Sequence, residues 1–268
     1  MVRLDRVSLV FGSGTADKNE ALRQLSLQVF PGDFITIIGS NGAGKTSLYN
    51  VISGMHAVTS GRVFISQPGA DEREITREAE WKRARYIGRI FQNPLLGTAG
   101  RMTLADNMMI YHRKGYRGFR ISLNQKMMEY FRSRLSELGM GLENRLGDNV
   151  ELFSGGQRQA LTLLMTVLSK PSLLLLDEHT AALDPHNAEL VMKLTLRFAK
   201  EYKLTVMMIT HNMKDALEQG NRLLMMDGGR IILDIGPGEK EKLRVADIVE
   251  RFRTIKKQEF ASDEILLS

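Results

Sequence analysis

Short apolar runs along the chain predict strands of two kinds. Residues 7–11 and 25–29 alternate apolar with polar side chains, the pattern of strands that are exposed on one face. Residues 33–38, 173–176 and 205–209 are almost continuously apolar, which is typical of parallel strands buried on both faces. The sequence therefore predicts a buried parallel sheet that is preceded by a β-rich opening.

Further strands are predicted at residues 62–65, at residues 86–91, and on either side of the Asp-Gly-Gly turn at residues 227–229. Pro94 cannot continue the strand at residues 86–91, so the polar Gln92 lies at its end. The pair of strands around the Asp-Gly-Gly turn is predicted to form a hairpin.

Helical patterns occupy much of the remaining chain. Residues 47–52 follow the first buried strand and open a helix, and the charged stretch at residues 71–85 predicts a solvated one. Residues 102–152 place methionine, leucine, arginine and glutamate at helical spacing and predict a mainly helical insert. Its methionines are interpreted either as adaptable core filler or as a contact surface for a partner. From residue 245 onward, the apolar positions predict an amphipathic helix.

Composition narrows the class of protein. The 268 residues are 43% hydrophobic, which is enough to bury a full core. With 37 basic and 31 acidic residues, the net charge of +6 suits a phosphate ligand, an anionic membrane surface or nucleic acid about equally. The absence of cysteine excludes disulfides and thiolate metal sites. The charges at Arg3, Asp5 and Arg6 argue against a secretory signal, and no apolar run approaches the roughly 20 residues of a membrane span.

The stretch from Gly39 to Thr46 has the chemistry of a phosphate-binding loop. It matches the pattern G-x-x-x-x-G-K-[ST] and lies between a predicted buried strand and a predicted helix. Its glycines permit backbone angles closed to other residues, so that N–H groups and the helix N-terminus point at an anion. We expect Lys45 to reach the β- and γ-phosphates of a nucleotide and the Thr46 hydroxyl to complete a Mg²⁺ shell. The candidate nucleotide-binding residues are Gly39, Ser40, Asn41, Gly42, Ala43, Gly44, Lys45, Thr46 and Ser47.

Three other segments carry candidate chemistry. In the Phe-Ser-Gly-Gly-Gln segment at residues 153–157, Ser154 is the predicted N-cap of a helix, and the paired glycines leave the helix start open to an anion. Asp177 and Glu178 follow the leucine strand, at the strand end where open parallel sheets bind ligands. His211 follows the next buried strand, although a single histidine in such a place is more often an ordinary surface or core residue.

Taken in this order, the motifs resemble those of the ATP-binding subunits of ABC transporters, and the resemblance covers nearly the whole chain. The segments that carry it are residues 39–46, Gln92, the FSGGQ of residues 153–157, Asp177-Glu178, the AALD of residues 181–184, and His211. The resemblance implies an α/β fold, namely a P-loop NTPase with a RecA-like core, an antiparallel β subdomain and a helical insert. It further implies one ABC ATPase domain over residues 1–268. Its parts are a core with the β subdomain (1–94 and 170–244), a helical subdomain (95–169) and a helical tail (245–268).

The resemblance also implies a role for each matching residue. Asp177, with Thr46 and Gln92, belongs to the Mg²⁺ site, and Glu178 polarises the attacking water. Gln92 is the Q-loop residue and His211 the switch that senses the γ-phosphate, so Glu178, His211 and Gln92 form the implied catalytic set. The implied nucleotide contacts outside the phosphate loop are Phe11, Ser154, Gly155, Gly156, Gln157 and Asp184. Phe11 stands where the family has an adenine-stacking aromatic, and the alternative is an ordinary core residue.

The implied cofactors are ATP and Mg²⁺, and the implied activity is ATP hydrolysis coupled to transport. The implied partners are transmembrane permease subunits, a second copy of the chain in an ATP-dependent head-to-tail dimer and, indirectly, a substrate-binding protein. No nucleic acid is expected. The chain is expected to lie peripherally on the cytoplasmic side of the membrane.

Two departures from the family pattern refine this interpretation. Phe153 replaces the usual leucine before SGGQ, and His179 stands where the family more often has proline. The run at residues 177–180, with the IGSNGAGKT of the phosphate loop, is most similar to a bacterial importer subgroup described as tryptophan/tyrosine-type. We therefore expect a binding-protein-dependent importer of small solutes such as amino acids. A metal role for His179 is rejected, because no second histidine or cysteine lies at ligand spacing.

Two other functions stay open. One is the ATPase of an exporter or of a lipoprotein-releasing system. The other is a soluble ABC clamp on nucleic acid or the ribosome, supported only by the cations and aromatics of residues 113–120. That segment is interpreted instead as a solvated or membrane-facing loop. Clamp proteins of this family usually carry two cassettes or a long coiled-coil insertion, and this sequence has neither.

Overall fold

Ten strands lie in two sheets within the residues that the computed structural model describes, which are 1–12, 14, 18–66, 70–112 and 123–255. They are β1 (Val2–Phe11), β2 (Asn19–Val29), β3 (Phe34–Gly39), β4 (Ser60–Ile65), β5 (Arg73–Glu74), β6 (Ile87–Ile90), β7 (Leu173–Asp177), β8 (Val206–Ile209), β9 (Arg222–Asp227) and β10 (Arg230–Ile235). The smaller sheet is antiparallel, in the order β2-β1-β4-β5. The larger has the order β10-β9-β3-β8-β7-β6, and all its neighbours are parallel except the β9–β10 hairpin.

Helices cover both faces of the larger sheet. They are α1 (Lys45–Ser53), α2 (Glu80–Arg83), α3 (Leu104–His112), α4 (Gln125–Ser136), α5 (Gly155–Leu168), α6 (Pro185–Glu201), α7 (Met213–Glu218), α8 (Pro237–Lys240) and α9 (residues 245–255). Two short 3₁₀ turns, Leu142–Asn144 and Val150–Leu152, lead from α4 to α5. In the described part of the chain, no helix combines the length and apolarity that crossing a membrane requires. The predicted α/β class is confirmed.

Alternate residues of the parallel strands fill two separate cores. In β7, Leu173 and Leu175 belong to the core that includes the antiparallel sheet and α1. Leu174 and Leu176 belong to the core that includes α3, α4, α5 and α6. Because each such side chain contributes about 1.5–3 kcal/mol on burial, both faces favour large apolar residues. This two-sided burial explains the uninterrupted leucine run.

The predicted helical insert and C-terminal helix are confirmed among the described residues. Met108 and Met109 of α3 are buried, and Met127 and Met128 of α4 pack against the same core. These methionines are therefore core filler. Ile248 of α9 is fully buried in a third, smaller cluster. The basic segment at residues 113–120 lies outside the described residues.

The prediction of a solvated helix over residues 71–85 is wrong. Residues 73–74 form the edge strand β5, paired with β4, and only the single turn of α2 is helical. Arg83 ends that turn and is 2% exposed. A charged composition usually marks a solvated surface, but here one of the charges points inward and holds the segment against α1.

The Arg83 guanidinium is a buried hydrogen-bond hub. It donates to the carbonyls of Val51 and Ile52, at the C-terminal end of α1, at 2.8 and 3.0 Å. Its other acceptors are the carbonyls of Glu78, Ile75 and Thr76. Carbonyls in the last turn of a helix have incomplete bonding within the helix, and Arg83 donates to two of them; Val51 also accepts from the Gly54 N–H. Burial lowers the pKa of Arg83, and the nearby Glu78 carboxylate opposes that shift.

We expect Arg83→Met to destabilise the protein by about 2–4 kcal/mol, because methionine fills the space but leaves buried carbonyls without donors. Urea unfolding followed by circular dichroism measures the change. The matched control is Arg77→Met, on the same segment but exposed, which should stay within about 0.5 kcal/mol of the parent. Equal stabilities of the two variants would show that the Arg83 hydrogen bonds contribute nothing net.

Candidate functional site

The candidate residues gather at one edge of the larger sheet. The phosphate loop follows β3, and Gln92 follows β6. Asp177 ends β7, Glu178 comes directly after it, and His211 follows β8. Since these four strands are parallel neighbours, their carboxyl ends meet at the same edge. This is the edge at which open parallel sheets bind ligands.

Close backbone approaches shape the phosphate loop. Gly39 has φ of 153°, and a Cβ there would overlap the Met226 carbonyl of β9. Gly44 has φ of 96°, and a Cβ there would lie 2.6 Å from the Ala21 carbonyl oxygen of β2. Both positions therefore require glycine. The loop therefore lies close against a strand of each sheet.

The start of α1 is open to an anion. Its N-cap, Gly44, offers no side-chain hydrogen bond, so the first N–H groups of the helix keep their donor capacity. Ser40, Asn41 and Thr46 are exposed around it. The Thr46 hydroxyl and the amide groups thus present donors and hard oxygen atoms on one surface, a chemistry that suits an anion and a hard cation.

Lys45 lies inside the loop and is 6% exposed. Its Nζ donates to the carbonyls of Gly39 at 2.7 Å and Ser40 at 2.9 Å. Burial lowers the pKa of Lys45, while the charges of Glu178 and Asp177 act to raise it. The ammonium therefore lies near two carboxylates but is bonded to neutral carbonyls, which a phosphate oxygen can replace.

Asp177 and Glu178 occupy different surroundings although they are adjacent. Asp177 ends β7 opposite Ile209 and forms an ion pair with Arg89 of β6, with 3.0 Å between Nη2 and Oδ2. Glu178 turns away with φ of 49°, and its Oε1 lies 2.6 Å from Nε2 of His211. This contact joins the Glu178 carboxylate to the end of β8. The two carboxylates are thus held apart with separate partners.

The Ser-Gly-Gly-Gln segment opens α5 with a capping box. Ser154 Oγ accepts from the Gln157 N–H at 3.2 Å, and Gln157 Oε1 accepts from the Ser154 N–H at 3.1 Å. The predicted N-cap is confirmed. The amides of Gly155 and Gly156 have no such cap, so this helix start also offers donors to an anion.

The residues that surround the start of α5 come from segments other than the phosphate loop. A Cβ at Gly156 would lie 2.5 Å from the Asn187 side chain of α6, and Asp184 caps that helix by accepting from Asn187. Gln159 of α5 donates to the carbonyl of Phe91, next to Gln92. Within the described ranges, no hydrogen bond or ion pair joins residues 154–157 to residues 39–47.

Phe11 ends β1 and is 39% exposed, so the interpretation as a core residue is wrong. Its ring meets His56 edge to face, with 5.3 Å between the ring centroids. An exposed aromatic ring fixed by a neighbour can stack on a base. Sequence reasoning missed His56, which follows α1 and has no motif of its own.

His179 is buried and forms a structural link. Its Nε2 lies 3.0 Å from the Thr195 hydroxyl of α6, and that hydroxyl donates to the Val191 carbonyl, so the imidazole donates through Nε2. Burial lowers the pKa of His179 to about 4, so the ring is neutral at physiological pH. The described residues contain no group of three or more histidine, cysteine or acidic side chains arranged around a metal.

Arg89 is the other site residue that sequence reasoning missed. It lies on the short strand β6, between apolar neighbours, and its side chain is 8% exposed. The available signal was the charge itself, because an arginine in a predicted strand needs a polar partner if that strand is buried. Which partner it would have was not visible in the sequence.

Comparison with known proteins agrees with this geometry. The family model described as ABC transporter matches residues 22–181. The chain is 38% identical over 256 residues to the tyrosine transport ATP-binding protein of Clostridioides difficile (strain R20291), covering 94% of this chain and 98% of that protein. It is 30% identical over 252 residues to the phosphonates import ATP-binding protein PhnC of Lactococcus lactis subsp. cremoris (strain SK11), covering 94% and 99%.

Solved structures share the fold. The ADP conformation of MJ1267, an ATP-binding cassette of an ABC transporter, superposes with a TM-score of 0.73 at 24% identity, covering 94% of this chain and 98% of that one. The dimeric post-hydrolysis state of the cassette MJ0796, bound to ADP and Pi, gives a TM-score of 0.72 at 23% identity, with 88% and 98% covered. The predicted P-loop architecture with its antiparallel sheet is therefore confirmed, and the chain belongs to the ABC transporter family as an ATP-binding, ATP-hydrolysing subunit.

Proposed function

We propose that this ATPase supplies the energy for a binding-protein-dependent importer of small solutes, with aromatic amino acids of the tyrosine type as the solute class. The observation that carries the proposal is the end-to-end similarity to a tyrosine transport ATP-binding protein. A lower similarity over a comparable length to a phosphonates import protein supports import as the direction of transport. The proposal includes a peripheral position on the cytoplasmic side of the membrane, against transmembrane permease subunits.

In this proposal, ATP binds between the phosphate loop and Phe11. Its phosphates accept from the loop amides and the open start of α1. Lys45 exchanges the carbonyls of Gly39 and Ser40 for phosphate oxygens, a change from neutral to charge-assisted hydrogen bonds. The exposed Phe11 ring stacks on adenine, with His56 against its side.

Thr46, Gln92 and Asp177 are the residues that would hold Mg²⁺. They fit because hydroxyl, amide and carboxylate oxygens are the ligands that this hard cation prefers, and all three residues lie at the same sheet edge. When bound, Mg²⁺ neutralises charge that develops on the β- and γ-phosphate oxygens. Asp177 contributes through a carboxylate whose direction the Arg89 ion pair fixes.

Glu178 is proposed to orient the attacking water. Its carboxylate is held by His211 at 2.6 Å, beside but apart from Asp177. His211 is half-exposed, so its imidazole can leave Glu178 and donate to a γ-phosphate instead. Exchange of His211 between these two acceptors would make the orientation of Glu178 depend on the presence of the γ-phosphate. We propose this dependence as the sensing role of His211.

Two copies of the chain are proposed to close around ATP. Ser154 and Gly155 are exposed at the start of α5, and within the described residues they make no bond to the phosphate loop of their own chain. The Ser154 oxygen accepts from Gln157, so its proton stays available to an external acceptor. A γ-phosphate on the partner's phosphate loop would supply that acceptor, which makes ATP the link in a head-to-tail dimer.

An apolar surface after Gln92 is proposed to meet the permease. It consists of Leu95, Leu96, Met102, Ile110 and Leu152, which are all more than a third exposed. Residues 99–103 and 149–152 lie side by side, joined by hydrogen bonds such as Val150 N–H to the Met102 carbonyl at 3.1 Å. Exposed apolar clusters of this kind mark contact surfaces. This surface belongs to residues 95–169, which we propose as a helical subdomain that moves with the permease.

Glu178→Gln should keep ATP binding and lower turnover by about 10²- to 10⁴-fold, because an amide cannot accept a proton or orient water as a carboxylate does. Steady-state phosphate release and nucleotide titration of the purified protein measure both quantities. Glu189→Gln, on the exposed surface of α6, is the matched control and should leave both unchanged. Turnover within a few-fold of the parent would remove Glu178 from its proposed role.

The Glu178→Gln variant should sediment as a dimer with ATP and as a monomer without it. Adding Gly155→Glu should keep it monomeric at saturating ATP, because a carboxylate at the start of α5 repels the partner's phosphate. A Cβ at Gly155 meets only Leu183, at 3.6 Å, so the fold tolerates the change. The control is Gly147→Glu, where a Cβ meets nothing within 4 Å. If the Gly155→Glu variant dimerises as readily as the control, the phosphate is not shared between subunits.

Vesicles that contain the chain with its native permease and binding protein should accumulate labelled tyrosine on ATP addition. Leu96→Asp should abolish uptake but leave the ATPase rate of the isolated chain unchanged, because the 64% exposed Leu96 contacts the permease and not the nucleotide. Phe30→Asp changes a comparably exposed apolar residue, 48% exposed, before β3, and should retain uptake. Accumulation of phosphonates but not tyrosine would correct the solute class, and uptake by Leu96→Asp would place the contact elsewhere.

A further inference from the structure

Arg89 connects three parts of the nucleotide site. Its guanidinium donates to Asp177 Oδ2 at 3.0 Å, on β7, and to Asn50 Oδ1 at 2.6 Å, on α1. The guanidinium carbon lies 4.6 Å from the centroid of the Phe91 ring, next to Gln92. The same side chain therefore touches the carboxylate that ends β7, the helix that follows the phosphate loop, and the segment that leads to Gln92.

Fold stability alone is a weak reason for this arrangement. The Arg89 and Asp177 side chains are only 8% and 11% exposed, so both ions have lost most of their hydration. One donor, Arg89 Nε, is buried without an acceptor in the described part of the chain. Buried ion pairs with incomplete hydrogen bonding contribute little net stability compared with apolar residues of similar volume. A role in the chemistry of Asp177 therefore explains this ion pair better than a contribution to fold stability does.

Arg89 also balances the charge of the site. The charges of Asp177 and Glu178 both act on Lys45, so these three groups share one electrostatic environment. Arg89 adds the second cation that matches the two carboxylates. A divalent cation alone then meets two carboxylates that two cations already match, whereas nucleotide phosphates bring several negative charges with them.

We propose that Arg89 makes metal binding conditional on the nucleotide. Its guanidinium shares the Asp177 carboxylate with any incoming cation and repels it, so the chain alone holds divalent metal weakly. The phosphates of ATP outweigh that repulsion, and the metal binds with them. Arg89 is thus a positioning residue that acts through Asp177, and the inference rests on the proposed metal role of Asp177.

Direct binding of Mn²⁺ tests the inference without relying on turnover. Electron paramagnetic resonance of the free ion measures this binding. Arg89→Gln removes the charge but keeps an amide that can donate to Asp177. We expect it to bind Mn²⁺ in the absence of nucleotide about tenfold more tightly than the parent. Arg89→Lys keeps the charge and should stay as weak as the parent. Arg89→Met repeats the neutral arm without a donor, in case the glutamine variant fails to fold.

The double variant Arg89→Gln/Asp177→Asn assigns the effect to Asp177. It should lose the gained Mn²⁺ affinity, because the carboxylate that Arg89 had balanced is gone. Equal nucleotide-free affinity of Arg89→Gln, Arg89→Lys and the parent would overturn the inference, as would an equal gain in the lysine variant. Asp177→Asn alone, titrated with Mn²⁺ and a non-hydrolysable ATP analogue, tests the metal role separately. If that variant binds the metal as the parent does, Asp177 is not a ligand, whatever Arg89 does.

Discussion

Parallel pairing of four neighbouring strands is the constraint on which the site depends. Asp177 of β7 pairs with Ile209 of β8, and Ile37 of β3 pairs with the same residue from the other side. Both faces of these strands are buried, so a slip of one residue would exchange the two cores and is strongly disfavoured. The register therefore sets how far each strand end projects. Segments from distant parts of the sequence meet at one edge because their strands end together.

Each of the charged side chains Lys45, Asp177 and Glu178 at that edge has a polar partner within the chain. Lys45 is bonded to carbonyls, Asp177 to Arg89, and Glu178 to His211. Each partner lowers the cost of keeping a polar group away from water. In the proposed function, each would also compete with a nucleotide, a metal or a water molecule for the same atoms. In the proposed function, binding would therefore replace one partner with another and would not leave a buried charge unpaired.

Local chemistry accounts for the motifs that the sequence predicted well. Three features depend on residues that are close in the chain: the glycines of the phosphate loop, the N-cap at Ser154 and the alternation in β1. Their patterns can therefore be recognised from the sequence alone. The failure at residues 71–85 has the opposite cause. Charges there predicted a solvated helix, but Arg83 is buried and donates to carbonyls at the end of α1, which lies nearby in space. The position of that helix end in space cannot be inferred from the residues around Arg83 in the sequence.

The sequence by itself determined the buried strands of the larger sheet, the phosphate loop, the capped start of α5, and the polar residues at the strand ends. These follow from side-chain size, backbone freedom and periodicity, which act between near neighbours. Only the tertiary structure decided which charges face each other. Arg89 and Asp177 are 88 residues apart and meet because β6 and β7 are adjacent. His179 is buried against Thr195, and Phe11 is exposed beside His56. Partners of this kind depend on the packing of whole elements, because a buried polar group can be satisfied by any residue that the fold brings within reach.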